Sequence, residues 1–158
     1  MKNFLRMQII FTCLFSILAS SCYASNNNIT SPEAPKRTII QNYKDMVLAF
    51  CIADAYHDDK LAAIDAGSSV SALEEWTYYD LEESTKAIQN LVDTYLSRNY
   101  FNPLVEAEIK GIKFDFLKCL DLYHSKDLNK LAKRMVEYPH ETYKSSLHNY
   151  YRNLNRNK

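Results

Sequence analysis

The sequence predicts an all-α domain, a bundle of about five helices pinned by one disulfide. Three observations carry this. Only two glycines and four prolines interrupt the 158 residues. Long segments repeat apolar residues at a spacing near 3.6, with no sustained alternation of period two. Cys51 and Cys119 form an even pair once an N-terminal leader is set aside, and a disulfide is the natural assignment in an exported protein.

The leader spans residues 1–24. Lys2 and Arg6 precede an apolar run, Met7 to Leu18, and small residues follow up to Ala24. A charged head, a short hydrophobic stretch and a small-residue end make a cleavable signal peptide. Cleavage after Ala24 starts the mature chain at Ser25 and places it in a periplasm. Lipidation of Cys22 stays open as a second reading, although Ala19-Ser20-Ser21 lacks the usual branched aliphatic three positions upstream. A retained membrane anchor would need about 20 apolar residues, more than this run supplies.

Residues 25–37, with Pro32 and Pro35, read as a flexible N-terminal segment. The helical domain covers residues 38–138. Thr38 caps a first helix whose apolar face is Ile39, Ile40, Tyr43, Met46, Val47, Phe50 and Cys51. It ends near His57-Asp58-Asp59, and the two aspartates cap a short helix, Lys60 to Ala66, that Gly67 stops. Ser71 and Glu74 form a capping box for a long helix reaching about Ser97. That helix would bury Leu73, Trp76, Ala87, Ile88, Leu91, Tyr95 and Leu96.

Asn102-Pro103 starts the next helix, carrying Leu104, Val105, Ile109, Ile112, Phe116, Cys119, Leu120 and Tyr123. Gly111 inside it costs about 1 kcal/mol relative to alanine. A close approach by the first helix would explain that residue. A last helix from about Lys126 to Glu137 buries Leu128, Leu131, Met135 and Val136 and stops at Pro139. Residues 139–158 form a polar tail, mobile or folded only against a partner.

Without its leader the chain has a net charge of −2, unevenly spread. Residues 25–125 hold 9 basic and 16 acidic residues, a net of −7, and residues 126–158 hold 8 and 3, a net of +5. An acidic body with a basic end suits a basic partner or self-association better than nucleic acid. The tyrosine pairs Tyr78-Tyr79, Tyr100-Phe101 and Tyr150-Tyr151 suit core or rim better than a stacking platform.

Catalytic constellations are not found. Asp54 and His57 share a helix face, but no second histidine has ligand spacing, so capping by Asp58-Asp59 explains the cluster better than metal. Phosphate-cradling glycine loops, CxxC pairs and nucleophile elbows do not occur. No cofactor is expected. The segment Asp65-Ala66-Gly67-Ser68-Ser69-Val70-Ser71, framed by Asp65, Glu74 and Glu75, stands out instead. As a small, hydroxyl-rich helix connection it is narrow enough to enter a cleft and hydrogen-bond there.

Asp65 to Asp80 and Asn102 to Ser125, together with Gln41 to Ala49 and Cys51 to Tyr56, closely resemble the type VI secretion amidase immunity proteins. These are the partners of the fourth group of secreted peptidoglycan amidases. The resemblance covers about residues 40–135. It implies an all-helical, homodimeric periplasmic protein that forms a heterotetramer with its amidase. That enzyme is a Cys/His endopeptidase cutting the peptide stem between D-glutamate and diaminopimelate. It further implies that the loop around Gly67-Ser68-Ser69 enters the enzyme's cleft and that the family's two cysteines match Cys51 and Cys119. The Glu74-Glu75 pair is a position expected to set partner choice. An exported metal-dependent hydrolase using His57, or an envelope adaptor acting through the basic tail, are the alternatives.

Overall fold

The computed structural model describes residues 30–156, so the leader and its cleavage site lie outside the described residues. Thr38, as expected, precedes the first helix, α1 (Ile39–Ala55), and its hydroxyl accepts from the Gln41 amide. Ile39, Tyr43, Met46, Val47 and Cys51 recur along one stripe of α1 and are fully or almost fully buried. α1 is the hub of the bundle. α2 (Lys60–Glu74), α3 (Leu81–Leu96), α5 (Asp115–Tyr123) and α6 (Lys126–Met135) all pack against it.

The caps are local. Asp59 Oδ1 accepts from the Leu61 and Ala62 amides, Asp80 from Glu83, and Ser125 from Leu128, so these three helix starts have partners for otherwise unsatisfied donors. α6 buries Leu128, Leu131, Ala132 and Met135 at the spacing of one helix face. α3 buries Ser84, Ile88, Val92 and Tyr95. Buried polar groups are paired. The Tyr43 and Ser84 hydroxyls hydrogen-bond each other, and the Asn42 amide donates to the Ala34 and Trp76 carbonyls at 2.9 and 3.3 Å. Cys51 and Cys119 are bonded, Sγ–Sγ 2.01 Å, which fastens α1 to α5.

Seven α-helices and one 3-10 turn (Ala34–Lys36) occur among the described residues, two more than five because one expected helix is split and the tail is helical, while a third boundary is shifted. Gly67 does not end α2, which runs on to Glu74. Gly67 has no positive φ, so it spends a modest propensity cost inside a helix held by its Asp59 cap and by Val70 and Leu73 packing on the core. Ser71 and Glu74 therefore belong to the end of α2. Thr77 closes it by donating to the Leu73 carbonyl at 2.7 Å, and the following helix starts at Leu81 under Asp80.

The helix expected from Pro103 to Tyr123 is broken. α4 (Pro103–Glu108) stops after six residues, and Gly111 turns the chain at φ +76°, the left-handed region that glycine enters without strain. No atom lies within 4 Å of where its Cβ would sit. Gly111 is thus a turn residue and not a point of close helix approach.

Residues 136–142, assigned partly to the tail, form a strap within the body. Tyr79 bridges Val136, and Thr38 bridges Thr142. The Asp80 amide donates to the Met135 carbonyl, Glu137 to Tyr78, Ile39 to Glu141 at 2.8 Å, and Ile40 to Pro139. The Tyr143 ring stacks on Tyr78 at 6.0 Å, and α7 (Tyr143–Arg156) continues onto the 3-10 turn. The tail expected to be mobile is helical because backbone donors at the start of α1 are met by this strap. Truncation after Tyr138 should therefore lower the unfolding free energy by about 2–4 kcal/mol, read from urea denaturation, since two donors near the core lose their acceptors.

Alkaline pH should weaken the fold as well. Burial is the main reason that the Tyr43 and Tyr79 phenols sit above their usual value of 10.0, with the Glu74 carboxylate adding to the shift at Tyr79. The folded state favours the neutral phenols, so their contribution is complete below pH 10. It drains away as pH rises towards their higher folded values. The urea midpoint should fall between pH 9 and 11, and Tyr79→Phe should flatten that fall.

Candidate interaction surface

The residues expected to enter a cleft sit on α2. Asp65, Ser68, Ser69, Ser71, Glu74 and Glu75 are exposed, whereas Gly67 and Val70 are half-buried. Helical geometry puts Asp65, Ser68 and Ser69 on one side, continuing a stripe begun by the exposed Leu61 and Ile64. The Ser69 hydroxyl donates to the Asp65 carbonyl at 3.0 Å. Glu74 turns back to accept from the Tyr79 phenol at 3.1 Å and so belongs to the fold. These residues form a face, not a protruding loop.

The segment that does project is the arm from Asn99 to Lys113. Asn102 caps α4 through the Leu104 and Val105 amides, yet α4 packs on no other helix to any comparable extent. Leu104, Phe101 and Ile109 are 82%, 71% and 57% exposed. The face assigned to Leu104, Ile109 and Ile112 as core is thus solvent-facing, because the break at Gly111 swings α4 away from the bundle. Periodicity read across the turn at Gly111 caused that error.

The base of the arm is rigid. The Lys118 ammonium, almost fully buried, donates to the Leu96 carbonyl at 3.0 Å and to Asp115 at 2.8 Å. Tyr100 donates to Asp121 at 2.5 Å, and that bond raises the Tyr100 phenol pKa. Next to Lys118 is Cys119, cross-linked to α1. Phe114, at φ 57°, is held in the left-handed region at the start of α5. Beside the base lies an apolar groove of about 510 Å³ lined by Tyr56, Ile112, Phe114, Phe116 and Leu117.

Nothing in this surface resembles a catalytic centre. The His57 ring meets the Asp54 carbonyl at 2.7 Å and the Asp58 carboxylate at 3.4 Å on open surface. Among the described residues no three His, Cys, Asp or Glu side chains could hold a metal ion. The arrangement offers shape, apolar contact and hydrogen bonding to another macromolecule.

A family model described as type VI secretion system amidase immunity protein, Tai4, matches residues 41–132, more than half of the chain. The chain belongs to this family. A Serratia marcescens structure described as new type VI-secreted toxins and self-resistance proteins matches with a TM-score of 0.62 at 29% identity, covering 73% of this chain and 90% of that one. A structure of the effector–immunity system Tae4/Tai4 from Salmonella typhimurium, as a selenomethionine variant, matches with a TM-score of 0.58 at 27% identity, covering 68% and 99%. No curated protein matches by sequence. As an amidase immunity protein the chain is not an enzyme. The matched span of this immunity protein takes in α2 and the arm, while the strap and α7 lie beyond it.

Proposed function

We propose that the protein protects a cell by binding a type VI-secreted peptidoglycan amidase in the periplasm and filling the mouth of its Cys/His cleft. The arm from Asn99 to Lys113 is the inserting element. It stands off the bundle, its tip residue Leu104 is 82% exposed, and its base is held by Lys118 and the neighbouring disulfide. The exposed side of α2, with Asp65, Ser68, Ser69 and Glu75, lies against the rim of the cleft. Ser71 borders that side and keeps it small, while Gly67 and Val70 lie behind it, Val70 against the core. Rigidity favours this mode, because a preorganised element loses little conformational freedom on binding.

The family resemblance supports action as a homodimer and a heterotetramer with two amidases. The apolar groove at Tyr56, Phe116 and Leu117 is the surface offered to the second copy. Large apolar patches on a soluble protein mark such contacts. The test is hydrolysis of peptidoglycan by the cognate amidase with increasing amounts of this protein. Activity should vanish at one inhibitor chain per enzyme, and light scattering should give a two-plus-two mass. Undiminished hydrolysis at molar excess rules the proposal out.

A further inference from the structure

We infer a second binding site, sharing no residue with the arm or α2, in the groove between α3 and α6, for a short peptide bearing two carboxylates and a free amine. The groove holds about 340 Å³. One wall is the α3 stripe Ala87, Asn90, Leu91 and Thr94, and the other is the α6 stripe Asp127, Lys130, Leu131 and Arg134. Both stripes follow the spacing i, i+3, i+4, i+7, so each is one continuous helix face. Ala87, Leu91 and Leu131 make an apolar floor, and the polar groups rise on either side.

Among the described residues the charged groups of this groove have no partners of their own. Among the described residues neither Lys130 nor Arg134 forms an ion pair. The side chains of Asn90, Asp127, Lys130 and Arg134 are in none of the hydrogen bonds that satisfy their neighbours. Thr94 donates to the Asn90 carbonyl, leaving its oxygen free to accept. Two cations one turn apart, an amide facing them and one carboxylate three residues before the first cation make a directional site of net positive charge.

A ligand matching that pattern presents carboxylates to Lys130 and Arg134 and an amine to Asp127, with an apolar stretch over Leu91 and Leu131. Stem peptides of peptidoglycan carry these groups, and choosing them rests on the periplasmic reading above. Binding would hold the inhibitor at the wall that the amidase attacks.

The purified protein is titrated calorimetrically with the tripeptide alanyl-γ-D-glutamyl-diaminopimelate, and trialanine serves as the single-carboxylate control. Saturable binding of the first, with trialanine at least about tenfold weaker, is expected. Lys130→Gln with Arg134→Gln should weaken the tripeptide about tenfold or more and leave circular dichroism and amidase inhibition unchanged. Absence of saturation, equal binding of trialanine, or an unaffected double variant overturns the site. Because amidase inhibition is read in the same variants, failure here is separable from failure of the inhibitory function.

Discussion

A Cys51→Ser protein should melt about 10–20 °C below the wild type. The bond closes a loop with a sequence separation of 68, and on the chain-entropy model such a loop contributes about 4 kcal/mol by restricting the unfolded chain. A domain of this length loses a few degrees for each kcal/mol. The substitution also leaves a serine hydroxyl where both sulfurs are fully buried, which adds the desolvation of an unpaired polar group. Cys51→Ala with Cys119→Ala removes that second contribution and should recover part of the loss. Thermal melts followed by circular dichroism check both. An undiminished melting temperature in the serine variant contradicts the role given to the cross-link.

Leu104→Glu combined with Ile109→Glu should weaken amidase inhibition by about 30-fold or more and leave the melting temperature within about 1 °C of wild type. A few well-desolvated residues at the centre of an interface can each carry about 2 kcal/mol on truncation, and a charge forced into a desolvated cleft costs about as much. Both residues face solvent in the free protein, so the fold has nothing to lose. Ser68→Trp, on the exposed side of α2, should weaken inhibition with an equally unaltered melt. Should Ser68→Trp act and the arm variant not, the occluding element is α2 and the arm is a bystander. Inhibition constants from the hydrolysis assay decide between them.

Much of the fold is legible from residue pattern. The stripe Ile39, Tyr43, Met46, Val47, Cys51 predicts α1 because a helix buried on one side must repeat its apolar residues every three or four positions. The caps Thr38, Asp59 and Asn102 are visible because short oxygen-bearing side chains reach the free amides of a first turn. The Cys51–Cys119 pairing follows from the count of cysteines. Gly67 and Gly111 show where pattern fails. They are the same residue type in similarly mixed surroundings, and only the completed backbone shows that one is helical and the other turns at positive φ. The site suffered from that ambiguity: stopping a helix at Gly67 created a loop at Ser68-Ser69 that is α2, and passing through Gly111 hid the arm. The strap was illegible for another reason. Its hydrogen bonds join residues far apart in the sequence, such as Ile39 and Glu141, and no local spacing encodes such a meeting.

That meeting has a bearing on how the chain comes to its native state. The leading turn of the innermost helix obtains its acceptors from residues near the far end of the polypeptide. An emerging N-terminal half thus has no complete hydrophobic nucleus to settle around until the last segment is released. Closure of the native state therefore waits for the trailing end to swing in and supply the acceptors that complete the start of α1.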